Sequence, residues 1–472
     1  MTGMQLSAAG LGRLARGDVD GAPEAAVIAF TGITTDSRDV VPGGAFVAVR
    51  GEQMDGHRFV PAAVAAGAAC ALVDHGYAGE RPAVLVRVPD TAAALRTACR
   101  ARLTELGATV VGITGSVGKT TAKEMTAHLL GPRAARTPGN LNTWTGIPLA
   151  VLRLDPPVDV LVAEMGMSAR GEIADLCSFT EPTVGVLLNI GLSHLELLGS
   201  QAAIAAAKAE LLDAIQQRDG HAVVNADDRW VRRVVAERPG LAVTWYTTAA
   251  SGAPSPAPVV RALEIESLGL RGVRFRLVAQ EGARSVTIPV PGTHLAATAA
   301  AATAVALHLG HDLDAVVERL GTLAAVEQRG TIRPGLRGAT VIDDSYNAAP
   351  ASMAAALELL RASGSTERVA VLGDMLELGA AADEAHSEVG RLAAGAATHL
   401  IAVGGHGSRM RAAAVAAGLS PDRAVVVADA AAAAAEAVAL CGPDTAILVK
   451  ASHGLHLEQV VARLVLPVTE QG

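Results

Sequence analysis

The segment TGSVGKTT at 114–121 is the densest group of residues able to do chemistry, and it follows directly on the apolar run TVVGI. Glycines at 115 and 118 allow backbone N–H groups to curl round an anion, and a helix starting there adds its positive end. Ser116, Lys119, Thr120 and Thr121 place one ammonium and three hydroxyls around the same turn. A nucleoside triphosphate needs this set: the lysine reaches the β- and γ-phosphates and the first threonine holds Mg²⁺. The strict pattern G-x-x-x-x-G-K-[ST] requires glycine at 113, where the chain has Ile113; the segment fits the shorter form T-G-[ST]-x-G-K-[ST].

A phosphate-binding loop specifies a nucleotide but not a reaction. Glu164 closes the apolar run VLVAE, and a carboxylate at the carboxyl end of a strand faces the ligand crevice of an α/β sheet. His194 follows a second such run in NIGLSHLE. Each alone is as readily structural. With Thr120 they offer oxygen and imidazole ligands for one or two Mg²⁺ ions, although imidazole is an uncommon magnesium ligand. Lys208 lies fourteen residues after His194 in the Ala-rich helical segment IAAAKAELL. Its spacing reads as a surface lysine laying its stem along apolar neighbours.

These groups need strands and helices to position them. From about residue 108, β-type runs at 109–114, 158–166, 183–191 and 221–228 alternate with helical segments, which predicts a parallel sheet wrapped by helices. The Pro/Ser/Gly-rich stretch 249–258 reads as a linker, and the alternation after it as an antiparallel meander forming a small appended sheet. Ahead of this unit, β-type runs at 45–50, 70–74 and 83–88 alternate with Ala-rich helical pieces. The segment 91–107, with Leu95, Cys99, Leu103 and Leu106 on one stripe, carries the chain onward. Beyond Arg329, runs at 337–348, 368–373, 399–405, 424–429 and 446–452 predict a further α/β unit, whose six alanines at 430–435 form a helix capped by Asp429. The expected architecture is α/β in three domains. A smaller N-terminal α/β domain spans 1–105, a central P-loop-type parallel sheet wrapped by helices spans 106–329, and a C-terminal Rossmann-like domain spans 330–472.

The bulk composition agrees with three domains in 472 residues. Half the residues are hydrophobic but only 2 % are aromatic, so the cores must be built from Ala, Val and Leu. A net charge of −8 speaks against a nucleic-acid partner, which demands a basic face. Cys70, Cys99, Cys177 and Cys441 show no metal-ligand spacing and read as buried thiols in a reducing compartment. The N-terminus lacks the apolar stretch of a signal peptide, and no apolar run approaches the ~18 residues of a membrane span. A soluble, cytoplasmic protein, not membrane-embedded and monomeric by default, is expected.

The blocks GITGSVGKTTAKE, TPGNLNTWTGIP, AEMGMSARGEI, NIGLSHLELLGS, IAAAKAELL, IDDSYNAAPASM, VLGDMLELG and VKASHGLHLEQVV resemble, in order and over nearly the whole chain, the Mur ligases of peptidoglycan synthesis. The resemblance implies ATP-dependent peptide-bond formation through an acyl phosphate, with UDP-N-acetylmuramoyl-tripeptide and D-alanyl-D-alanine as substrates. It implies that Gly115, Ser116, Gly118, Lys119, Thr120 and Thr121 bind ATP, with Asn140 or Asn142 close to the phosphates. Thr120, Glu164 and His194 would hold Mg²⁺, and Lys208 would do so through a carbamate on its amine, which revises the surface reading of that lysine. Arg329 and Asp344 would reach ATP from the C-terminal domain, while Ser37, Arg38, Asp55 and His57 would receive the UDP-sugar. The chain departs from the family's H-N-x-x-N pattern, since His294 is followed by Leu295 and Thr298, which leaves adenine to backbone groups or Thr298. Two rivals share parts of the pattern: a sister ligase adding one amino acid or acting on a folate, and a P-loop ATPase or regulatory switch. The DSR and DGH segments disfavour the folate enzyme, and the lack of a DNP-type motif disfavours the single-residue adder.

Overall fold

The computed structural model describes residues 6–51, 54–250 and 259–466; most of the stretch read as a linker lies outside the described residues. Three sheets follow one another along the chain. The first has the strand order Asp18–Gly21, Val84–Val88, Cys70–Asp74, Ala45–Val47, Ile33–Thr34, and only its first strand runs antiparallel. Helix Thr91–Leu106 starts on Asp90, whose carboxylate accepts the Ala93 N–H. It buries Leu95 in the N-terminal core and Cys99 and Leu103 in the next, so its stripe joins two cores before the chain enters strand Thr109–Thr114.

The central sheet has nine strands, in the order Gly282–Ile288, Val273–Ala279, Val259–Ser267, Ala242–Thr247, His221–Asn225, Val184–Leu187, Thr109–Thr114, Val160–Glu164, Ala134–Arg136. Here the sequence expectation needs correction. The meander is not a separate small sheet, because Val259–Ser267 pairs in parallel with Ala242–Thr247 through Trp245, Tyr246 and Thr247. Only its later strands are antiparallel, so the meander extends the central sheet at its edge.

Both faces of the central strands are covered, which explains their unbroken apolar runs. Val111 and Ile113 face a core shared with helices Lys119–Leu130 and Leu295–His308, while Val110 faces the core under helix Gln201–Gln216. The second of these helices has eight alanines in fourteen residues and is buried without a break from Ala299 to Ala306. Glycine lets helix Gln201–Gln216 approach the sheet: a Cβ on Gly185 would lie 2.7 Å from Ile215 Cγ1. That close approach sets the depth of everything the helix carries.

The third sheet runs Thr331–Pro334, Thr340–Asp343, Thr445–Lys450, Glu367–Gly373, His399–Val403, Ala424–Val427, parallel apart from its first strand. Helix Ala430–Ala439 starts on Asp429 as expected, with the Ala432 N–H donating to the carboxylate. No helix among the described residues is long and apolar enough to cross a membrane.

Candidate active site

The turn after strand Thr109–Thr114 enters helix Lys119–Leu130 through Gly118, whose φ of 82° needs glycine. No side chain caps this helix, so its first N–H groups are left for a ligand. The turn is braced from outside the motif. Asn189 Oδ1 accepts the N–H groups of Ser116 and Val117 at 3.1 and 3.0 Å, and its amide donates back to the Val117 carbonyl. Ser116 Oγ in turn accepts the Gly191 N–H. Lys119 Nζ folds onto the Gly115 carbonyl at 2.9 Å, and burial lowers its pKa against the opposing pull of Glu164.

Glu164, at the end of strand Val160–Glu164, is buried with both oxygens engaged: Oε2 accepts from Thr120 Oγ1 at 2.9 Å and Oε1 from Asn142 Nδ2 at 2.8 Å. Lys123, one helical turn after Lys119, is fully buried. Its ammonium donates to the Thr137 and Gly139 carbonyls at 2.6 and 3.0 Å and lies 3.9 Å from Glu164 Oε2. Thus one buried cation ties the loop bearing Asn140 and Asn142 to the carboxylate. At the junction with the C-terminal unit, Arg329 Nη2 donates to Thr120 Oγ1 at 3.3 Å, and its guanidinium stacks 4.1 Å from the centroid of the Tyr346 ring.

Ser116, Gly118, Lys119, Thr120, Thr121, Asn140, Glu164, His194 and Arg329 line one cleft of about 780 Å³. Gly115 lies beneath its floor as the acceptor for Lys119. Asp344 lines an adjoining cleft of about 300 Å³ together with Gly118, Thr121, His294, Leu295, Thr298 and Lys450. Its carboxylate accepts from the buried Lys450 ammonium at 2.6 Å. Asn225, also on that wall, is used internally: its amide donates to the Leu188 carbonyl and its oxygen accepts the Asp227 N–H.

Lys208 is 1 % exposed, which overturns the surface reading its spacing suggested. Among the described residues no carboxylate pairs with it. Burial, with Lys119 nearby, holds its pKa well below that of a free lysine. His194 takes a left-handed φ of 66°, and burial lowers its pKa against the pull of Glu377.

The four N-terminal residues do not reach this cleft. Arg38 folds back on Asp36 with three side-chain hydrogen bonds, of 2.9, 3.2 and 2.6 Å, which pull that carboxyl down to about 2, and Ser37 sits in the same short 3₁₀ turn. Both ring nitrogens of His57 are used inside the domain: Nδ1 lies 2.7 Å from Asp55 Oδ1 and Nε2 accepts the Asp74 N–H at 2.9 Å. Asn189, Lys123 and Lys450 were not singled out from the sequence, although each lies within one of the quoted blocks.

Comparison with known proteins now decides the lineage. Family models described as the Mur ligase catalytic, middle and glutamate ligase domains match residues 29–111, 113–306 and 328–453. The UDP-N-acetylmuramoyl-tripeptide–D-alanyl-D-alanine ligase of Escherichia coli is 36 % identical over 380 residues, covering 79 % of this chain and 81 % of that one. The chain belongs to the Mur ligase family. Solved structures agree with this. The crystal structure of MurF from Acinetobacter baumannii matches this Mur ligase with a TM-score of 0.83 and 31 % identity, covering 97 % of this chain and 98 % of that one. MurF from Thermotoga maritima in complex with ADP matches with a TM-score of 0.75 and 27 % identity, over 92 % of this chain and 96 % of that one.

Proposed function

We propose that this Mur ligase joins D-alanyl-D-alanine to UDP-N-acetylmuramoyl-tripeptide, using ATP and an acyl-phosphate intermediate. The product is the UDP-N-acetylmuramoyl-pentapeptide of peptidoglycan precursor synthesis, a step in the cytoplasm on which cell shape and division depend. The observation that carries the reading is the uncapped helix start at Gly118, with Lys119 and Thr120 on one side and Arg329, at the junction with the next unit, on the other. Relatives named for this reaction and a related structure holding ADP support it.

In this reading residues 1–105 receive the UDP-sugar, 106–329 bind ATP, and 330–472 hold the dipeptide and close on ATP. Ser37, Arg38, Asp55 and His57 shape the sugar-nucleotide end. Asp55 and His57 do so by fixing their loop, since their side chains bond each other.

The donors present fit Mg²⁺. Thr120 and Glu164 form an oxygen pair on the cleft wall, and His194 lines the same cleft. Bound there, Mg²⁺ would neutralise the triphosphate's charge. Lys208 fits a carbamate for a physical reason: burial beside another cation favours the neutral amine, and a neutral amine attacks CO₂ to give the carbamate and a proton.

The carboxylate of the tripeptide attacks the γ-phosphorus, ADP leaves, and the dipeptide amine attacks the acyl phosphate to release phosphate and a proton. Lys119, the free helix N–H groups and Arg329 stabilise the charge that develops on the transferred group. Asp344, held by Lys450, marks the ribose end of the nucleotide. The docked C-terminal unit excludes water from the hydrolysable intermediate.

Phosphate release with D-alanyl-D-alanine, compared with meso-diaminopimelate or L-lysine as acceptor, tests the reading. Lys119→Ala should abolish release. Retained turnover in that variant, or release with the single amino acids alone, would overturn it.

A further inference from the structure

A carboxylate of the C-terminal unit lies against the imidazole of the proposed site. Glu377 Oε2 is 2.6 Å from His194 Nδ1. That nitrogen is buried and has no aligned hydrogen bond of its own, while Nε2 has no partner among the described residues. Both residues take left-handed backbone conformations, with φ of 66° and 63°, a region that residues with a Cβ adopt only when the surroundings hold them there.

The contact is part of a wider seam. The Glu196 N–H donates to the Glu377 carbonyl at 3.1 Å, and Leu192 packs against the C-terminal core. A Cβ on Gly379 would stand 3.1 Å from Glu196 Cα. The loop around Glu377 is rigid within its own unit. Asp374 accepts the N–H groups of Gly405 and His406, His386 Nε2 accepts that of Met375, and Ser452 Oγ accepts that of Leu376. The segment carrying His194 is therefore gripped by the C-terminal unit as well as by its own sheet.

We propose that Glu377 is a positioning residue: it takes the Nδ1–H of His194 and so leaves Nε2 as the nitrogen presented to the cleft, and it does this only while the C-terminal unit is docked. A carboxylate on the remote ring nitrogen fixes both tautomer and ring orientation of a ligating histidine. The consequence is a link between docking and ion binding: the ion site is complete only in the docked molecule. This rests on the reading of His194 as a Mg²⁺ ligand.

The test uses the full chain with a non-hydrolysable ATP analogue and titrates Mn²⁺, following free ion by its electron paramagnetic resonance signal. The Mg²⁺ concentration giving half-maximal phosphate release is measured in parallel. Glu377→Ala should weaken Mn²⁺ binding and raise the Mg²⁺ requirement about tenfold, the scale of losing such a support, with KM for ATP at saturating Mg²⁺ unchanged from the parent. Glu377→Gln, which keeps an oxygen for Nδ1–H, should recover most of the loss, and Glu388→Ala on an exposed helix should match the parent. Parent-like Mn²⁺ binding in Glu377→Ala with loss in His194→Ala overturns the positioning role and leaves His194 as a ligand. Parent-like binding in both overturns the ligand reading as well. Equal losses in Glu377→Ala and Glu377→Gln overturn positioning in favour of charge alone.

Discussion

Lys123 and Lys208 are buried near the cleft and a half-buried Lys119 lines it, each in a different setting. Lys123 is satisfied by two carbonyls, so Lys123→Met would leave both without a donor while filling the same volume. The expected result is a loss of about 3 kcal/mol in unfolding free energy, seen as a lower denaturant midpoint at unchanged slope. Lys119 keeps one carbonyl contact and is otherwise free for phosphate. Among the described residues Lys208 has neither a carbonyl nor a carboxylate partner, which suits the proposed carbamate. Lys208→Ala should lose phosphate release, and short carboxylates such as acetate should restore part of it; Lys208→Arg should not be restored. Absence of rescue in Lys208→Ala would count against the carbamate. At this scale the sequence was legible where chemistry is local: Lys119, Thr120 and their glycines sit within one octet. Lys208 was not legible from spacing, because its burial depends on Gly185 in a strand it meets only in the fold. Asn189 escaped notice for the same reason, since it reaches Ser116 across 73 residues.

At the level of elements, the depth of helix Gln201–Gln216 is the most exposed to test. Gly185→Ala places a methyl 2.7 Å from Ile215 and must push the helix outward, lowering stability by about 1–3 kcal/mol. Thermal unfolding measures this, and an unchanged midpoint would show that the helix has slack. A second element contact is sensitive to pH. His221, on strand His221–Asn225, stacks on His308 at the end of helix Leu295–His308, with ring centroids 4.0 Å apart. Burial, and then His308, lower its pKa to about 4. Between that value and an ordinary histidine pKa of about 6.5, the unfolded chain binds a proton that the fold refuses. Stability should therefore fall as pH drops through this window, and His221→Gln should flatten the slope in denaturant melts taken from pH 7 to pH 4. Strand periodicity revealed the alternating sheet and helices, but not that the edge meander joins the same sheet. That junction is made by three residue pairs after the linker, and alternation alone does not say which neighbour an edge strand finds.

Across the whole molecule the site is shared between units. Arg329 stands on Thr120 from one side of the seam and Glu377 on His194 from the other. Removing Arg329 should slow turnover far more than it weakens fold stability, because its partners are a partly buried hydroxyl and the Tyr346 ring. We expect Arg329→Ala to lose phosphate release by at least about a hundredfold, with a melting temperature near that of the parent. A large drop in melting temperature would place the arginine among structural residues instead. The three-unit plan was readable because each sheet is built from a contiguous stretch of chain. The seam between units was not, since its contacts have no periodicity.

The order of these sheets along the chain also has a meaning for synthesis on the ribosome. The N-terminal core closes once Leu149 and Leu152 have emerged, whereas the P-loop waits for Asn189 to brace it and for helix Leu295–His308 to complete the core behind helix Lys119–Leu130. Arg329, Tyr346 and Glu377 come later. A growing chain thus acquires the parts that cradle a nucleotide before the parts that close over it. A copy halted short of Arg329 would carry the phosphate-binding loop without the arginine and the seam that complete the site.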